Sequence, residues 1–135
     1  MVFACRHNAG RSRMAATFFN RIVDPGRALG IAAGTGVSRS VVPPVREAMR
    51  ELGVELDGSL ARRLNVHLAL AGSTVVTMGC LGDLPFLPGV AVEDWEIADP
   101  RDQPPDRVRE IRDEIRRRVE DLVDARGWRR PSTAP

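Results

Sequence analysis

Tyrosine is missing from these 135 residues, and aromatic side chains make up only 4% of them, so any core has to be mainly aliphatic. Cysteine is scarce as well, with two in the chain, Cys5 and Cys80. Without a secretory signal such a pair reads as reactive or simply buried, not as a structural disulfide. Two cysteines and two distant histidines offer no zinc-ligand spacing. No apolar run approaches the roughly 18 residues of a membrane span and no signal-peptide pattern opens the chain, which excludes a membrane partner and points to the cytoplasm. Charge of one sign is not in excess either. The formal net charge is +2 and the arginines are dispersed, so a nucleic-acid partner is not implied. The length suits one domain, expected over 1–127, followed by a flexible tail over 128–135, in a monomer.

What is present is one informative stretch, Cys5-Arg6-His7-Asn8-Ala9-Gly10-Arg11-Ser12. An apolar run, Val2-Phe3-Ala4, leads in and an amphipathic run from Met14 leads out, so it reads as strand, tight loop and helix start. Five residues between Cys5 and Arg11 let the main chain curl with its N–H groups inward. The helix start adds unpaired donors and a positive dipole end, giving a nest for a tetrahedral oxyanion. Arg11 supplies a planar fork of donors to two of its oxygens. The same field acts on Cys5, where a thiol pKa near 8.5 can fall into the range of roughly 3.5–7.5. Ser12 can donate a hydrogen bond to that thiolate. Asn8 and Gly10 suit the tight positions of the curl. The oxyanion is therefore expected on residues 6–11, Arg6, His7, Asn8, Ala9, Gly10 and Arg11, with the backbone doing the binding and the His7 ring turned away.

Along the chain, strands alternate with helices. The first strand, from Val2, starts almost at the initiating Met and is expected to be short or frayed. A helix over 11–22 puts Met14, Ala15, Phe18, Phe19 and Ile22 on one stripe. A strand is expected over 28–33, a helix from Pro44 to Leu52, short helical turns over 60–64 and 66–70, a central strand over 73–78 and a last strand near 90–92. The final helix starts at Pro104-Pro105-Asp106 and ends at Gly127, with Val108, Ile111, Ile115, Val119 and Leu122 inward. Asp113 with Arg117 and Glu114 with Arg118 are expected helix-stabilising pairs. This pattern implies an α/β fold with a parallel sheet whose ligand site lies beyond the strand carboxyl ends. Cys5, Cys80 and Asp99 each follow a strand, so one edge of the sheet should collect them.

At these residues the chain resembles the low-molecular-weight protein tyrosine phosphatase fold and, within it, the arsenate reductases coupled to thioredoxin or to a low-molecular-weight thiol. Residues 5–15 resemble their phosphate loop, Val75-Val76-Thr77-Met78-Gly79-Cys80 with Pro88-Gly89 their redox segment, and residues 93–100 their acid loop. The resemblance implies a three-layer fold around a mainly four-stranded parallel sheet, and arsenate reduction to arsenite in arsenic detoxification. Cys5 would be the nucleophile, Asp99 the general acid, and Cys80 the thiol that resolves the arsenic adduct. For Cys80 the plain alternative is an inert buried thiol, and for Asp99-Pro100 a mere turn. The thioredoxin-coupled members use a third cysteine, but here Leu84 stands before Pro85 where it is expected. An external thiol reductant, thioredoxin, mycothiol or glutaredoxin-type, is then implied, with no bound cofactor. Some members bind potassium through a glutamate in the first helix. Ala16 occupies that position, so no metal is expected. The phosphatase branch is the other enzymatic reading, with a phosphate monoester in place of arsenate. It usually carries tyrosines after the Asp-Pro, whereas Arg101 and Asp102 follow here. An oxyanion-binding regulatory module is the third reading.

Overall fold

Alternation of inward and outward side chains along the first strand decides how the layers form. In the computed structural model, which describes residues 1–7, 10–36, 40–56, 62–71 and 74–131, strand β1 (Val2–Cys5) is buried throughout. Phe3 and Cys5 point into one hydrophobic cluster and Val2 and Ala4 into the other, as the twofold period of a strand requires. The chain continues through α1 (Arg11–Ile22), β2 (Ile31–Gly34), α2 (Pro43–Arg50), α3 (Val66–Ala71), β3 (Thr74–Thr77), β4 (Ala91–Asp94) and α4 (Pro105–Arg126). The sheet is parallel with strand order β2-β1-β3-β4. α1, α2 and α4 cover one face, and α3 with the segment after β3 covers the other. This is the expected three-layer α/β fold with a four-stranded parallel sheet. The first strand is short but not frayed, because it pairs on both sides.

The larger cluster is aliphatic around a small aromatic centre. Phe3 meets Phe19 edge-on at 5.4 Å and Trp95 at 6.0 Å. Met14, Ala15, Phe18 and Phe19 of α1 and the expected α4 stripe are buried, so both helical periods were read in phase.

Several boundaries differ from expectation for local reasons. β2 starts at Ile31 because the Asn20 side chain takes both main-chain groups of Gly30, accepting from its amide at 2.7 Å and donating to its carbonyl at 2.9 Å. Of the turn expected over 60–64, residues 60–61 lie outside the described residues. Gly34 exchanges hydrogen bonds with Arg62 and Leu64, so the chain there is extended and not helical. Glu114 pairs with Arg118 at 3.6 Å as expected, but the Asp113 carboxylate accepts from Arg112 at 2.8 Å instead of meeting Arg117. Gly127, at φ 66°, closes α4. Beyond it, Arg130 donates to the Ile22 carbonyl at 2.7 Å and Asp24 to the Trp128 carbonyl at 2.7 Å. Residues 128–130, expected as part of a tail, are thus held against the end of α1; 132–135 lie outside the described residues.

Arg112 joins α4 to α2. It is 7% exposed and donates to the Ala48 carbonyl at 2.8 Å and the Glu51 carboxylate at 3.0 Å, satisfying a carbonyl that the last turn of α2 leaves open. Arg109 grips Glu51 from outside at 3.0 Å. That hydrogen bond, more than any other cause, holds the Glu51 carboxyl below its ordinary pKa.

Arg112→Ala should cost about 2–3 kcal/mol in urea unfolding, because it strands a buried carbonyl and frees a carboxylate. Glu51→Gln should lower stability at neutral pH. Since the folded pKa is depressed, that contribution is present above the unfolded carboxyl pKa and is lost as pH falls through the folded one. Unfolding curves of parent and variant should therefore converge in acid.

Candidate active site

β1 ends at Cys5 and α1 begins at Arg11, so the loop between them sits at the carboxyl edge of the sheet with the helix start facing the thiol. Cys5 is 3% exposed, and its Sγ lies 3.0 Å from the Oγ of the fully buried Ser12. A serine at that distance can donate to the sulfur once it is a thiolate.

Arg11 forms the side wall. Its guanidinium donates to the Ile97 carbonyl at 3.0 Å and stands 3.7 Å from the Asp99 carboxylate. The group fits because Gly79, after β3, has no side chain. A Cβ there would lie 2.6 Å from the Arg11 nitrogen, and the residue sits at φ +85°. Asp99 is half exposed at the mouth, and its carboxylate accepts from the Arg101 amide at 2.9 Å, which orients it. Pro100 lies over Gly10, where a Cβ would come within 3.2 Å of the proline ring and 3.3 Å of Val45. The resulting pocket is lined by Cys5, His7, Gly10, Arg11, Val42, Asp99, Pro100 and Arg101.

Cys5, Arg11, Ser12, Asp99 and Gly10 therefore meet in one place. His7 is among the lining residues, and Nδ1 of its ring lies 3.7 Å from where a Cβ on Gly36 would stand. The Arg6 side chain is turned outward and stands 3.4 Å from the Asp83 carboxylate. Asn8 and Ala9 lie outside the described residues. Val42 has no mark in the sequence, and Gly79 and Arg101 enter there only as members of the redox segment and as the residue after the Asp-Pro. For Gly79 a signal existed, a glycine between a strand end and a cysteine.

Cys80 follows the same sheet edge but faces the opposite layer. It is 2% exposed among Ala4, Ala33, Leu64 and Val75, and both cysteines are free thiols. Burial, first of all, pushes the Cys80 thiol above its ordinary pKa. The geometry can hold and desolvate a small tetrahedral anion against a sulfur nucleophile, with a carboxyl at the exit side. Among the described residues, no group of three or more His, Cys, Asp or Glu side chains is placed to hold a metal ion.

The sequence matches the low molecular weight phosphotyrosine protein phosphatase family over residues 1–128. It is 36% identical over 128 residues to a Halobacterium salinarum protein whose provisional name is arsenate reductase, covering 90% of this chain and 89% of that one. It is 29% identical to the glutaredoxin arsenate reductase of Synechocystis, over 91% and 95% of the two chains. Among solved structures, the thioredoxin-dependent arsenate reductase of Corynebacterium glutamicum superposes with a TM-score of 0.73 at 30% identity, over 92% of this chain and 59% of that one. The low molecular weight phosphotyrosine phosphatase of Vibrio cholerae reaches a TM-score of 0.81 at 16% identity, over 93% and 95%, a likeness of fold alone.

Gly79→Ala should displace the Arg11 guanidinium. Orthophosphate should then protect Cys5 from alkylation about tenfold less well, the loss expected for a misplaced charge-assisted fork. Unchanged protection would show that Arg11 does not need that seat.

Proposed function

The chain belongs to the low molecular weight phosphotyrosine protein phosphatase family, and from that premise we propose that it is an arsenate reductase working through Cys5. The observation that carries the reading is the buried Cys5–Ser12 contact of 3.0 Å in a pocket whose other polar side chains include Arg11 and Asp99. The loop amides and the Arg11 fork hold arsenate. The Cys5 thiolate attacks arsenic, and the departing oxygen takes a proton from Asp99 and leaves as water. A second thiol then attacks the Cys5 sulfur. The S–As bond breaks with its electron pair on arsenic, As(V) becomes As(III), and arsenite leaves behind a disulfide.

The second thiol is Cys80 or an external one. For Cys80 the segment after β3 has to shift until the two Cα atoms are within about 7 Å. With two cysteines in the chain there is no third to carry a disulfide outward, so an external thiol acts directly, either on the arsenic adduct or on a Cys5–Cys80 disulfide. The names of the Synechocystis and Corynebacterium relatives support an external thiol system, of glutaredoxin or thioredoxin type; mycothiol is the further donor to be tried. The setting is the cytoplasm, where such thiols are kept reduced, and the working unit a monomer. The absence of tyrosine, with Arg101 following Asp99-Pro100 at the rim, speaks against the aromatic grip on phosphotyrosine; slow hydrolysis of small aryl phosphates is a side reaction of the same nucleophile.

The test is arsenite formation with each of the three thiol systems. Activity should appear with at least one, vanish in Cys5→Ser, and fall ~100- to 10,000-fold in Asp99→Asn. Cys80→Ser should stop multiple turnover if Cys80 is the resolver. No arsenite with any donor, alongside brisk p-nitrophenyl phosphate hydrolysis, would transfer the chain to the phosphatase reading.

A further inference from the structure

One shielded hydroxyl close to the site has no evident use. β2 ends at Gly34, and Thr35, two residues beyond the inward Ala33, continues onto the face that holds Val2, Ala4, Val75 and Cys80. The Thr35 amide donates to the Cys5 carbonyl at 3.0 Å, extending the β1–β2 ladder by a step and fixing Thr35 at the sheet edge from which the loops of both cysteines leave. Its Oγ1 is shut off from solvent and makes no hydrogen bond of ordinary geometry among the described residues. A buried polar atom in that state is costly and calls for an explanation.

Cys80 supplies one. Its sulfur is buried on the same face, and the side chains α3 and the following segment bring to that cluster are apolar, Leu68, Ala69, Leu84 and Leu87. Besides burial, Cys5 from β1 and Asp83 from its own segment disfavour the Cys80 thiolate; the Met78 main chain and the Thr35 hydroxyl favour it. We propose that the Thr35 hydroxyl is a positioning donor for the resolving sulfur, hydrogen bonding to Cys80 once that thiol has lost its proton. The assignment rests on Cys80 as resolver in the reading above. In the step it serves, the Cys80 proton goes to solvent before attack and Thr35 keeps its own. The Cys80 thiolate bonds to the Cys5 sulfur, the S–As bond breaks, and its electron pair stays on the departing arsenite. A hydrogen bond lowers the nucleophilicity of each thiolate, but with a Brønsted coefficient of about 0.4–0.5 the larger thiolate population wins while the pKa lies above ambient pH.

Cys5→Ser leaves Cys80 as the sole thiol, and in a chain without tyrosine no phenolate obscures its ultraviolet absorbance. In that background Thr35→Val should raise the Cys80 titration midpoint by about one pH unit, and Thr35→Ser should leave it in place. With Cys5 present, Thr35→Val should slow arsenate-driven formation of the Cys5–Cys80 disulfide about three- to fourfold at neutral pH in a single turnover. The handicap should disappear at a pH above both midpoints, which a merely structural defect would not do. An unmoved midpoint in Thr35→Val, or an equal shift in Thr35→Ser, overturns the proposal. Thr35→Ala removes the same hydroxyl and decides the matter if the valine variant does not fold. A shifted midpoint in a protein that makes no arsenite upholds the donor and defeats the reductase reading alone.

Discussion

The Arg11 guanidinium lies against the main chain of Gly79, donates to the Ile97 carbonyl at 3.0 Å and faces Asp99 at 3.7 Å. One charged group thereby joins the first turn of α1 to the chain leaving β3 and the chain leaving β4. The three strand ends have to stay together for the pocket to exist, and an arginine does this with a rigid planar set of donors that a lysine lacks. An incoming oxyanion meets a fork already oriented by the main chain, so little reorganisation is needed when charge arrives.

Around that group the two sulfurs occupy different environments. Cys5 is at the pocket, beside the Ser12 hydroxyl and the start of α1. Cys80 is packed among aliphatic side chains across the sheet, where negative charge is disfavoured. The same strand pleat that sends Phe3 and Cys5 to one side and Val2 and Ala4 to the other creates this division. A second thiol that ionises reluctantly and sits across the sheet from the pocket suits chemistry in two ordered steps, because it does not compete for the oxyanion.

Much of this was legible in the sequence where a local signal existed. The apolar stripes of α1 and α4, the cluster of Cys5, Arg11 and Ser12 and the parallel sheet follow from periodicity and from short-range spacing. The start of β2 was misplaced because Asn20, ten residues earlier in sequence, occupies the Gly30 main chain. The stretch at 62–64 looked helical in composition, but a hydrogen-bond exchange with Gly34 draws it straight. Trp128 looked like the start of a tail, yet its carbonyl and that of Ile22 find partners across the end of α1.

The chain by itself determined which atoms are available for chemistry: a cysteine and an arginine spaced for a nest, an Asp-Pro after a strand and a second lone thiol. Those are properties of neighbours in sequence, and short-range geometry is enough to read them. Only the tertiary structure decided that Gly79 makes room for Arg11, that Pro100 covers Gly10, and that Cys80 is buried on the far side of the sheet with Ala4 and Ala33. Each of those facts is a meeting of residues tens of positions apart, set by strand order and pleat, and neither residue carries a mark of the other in its own stretch of sequence.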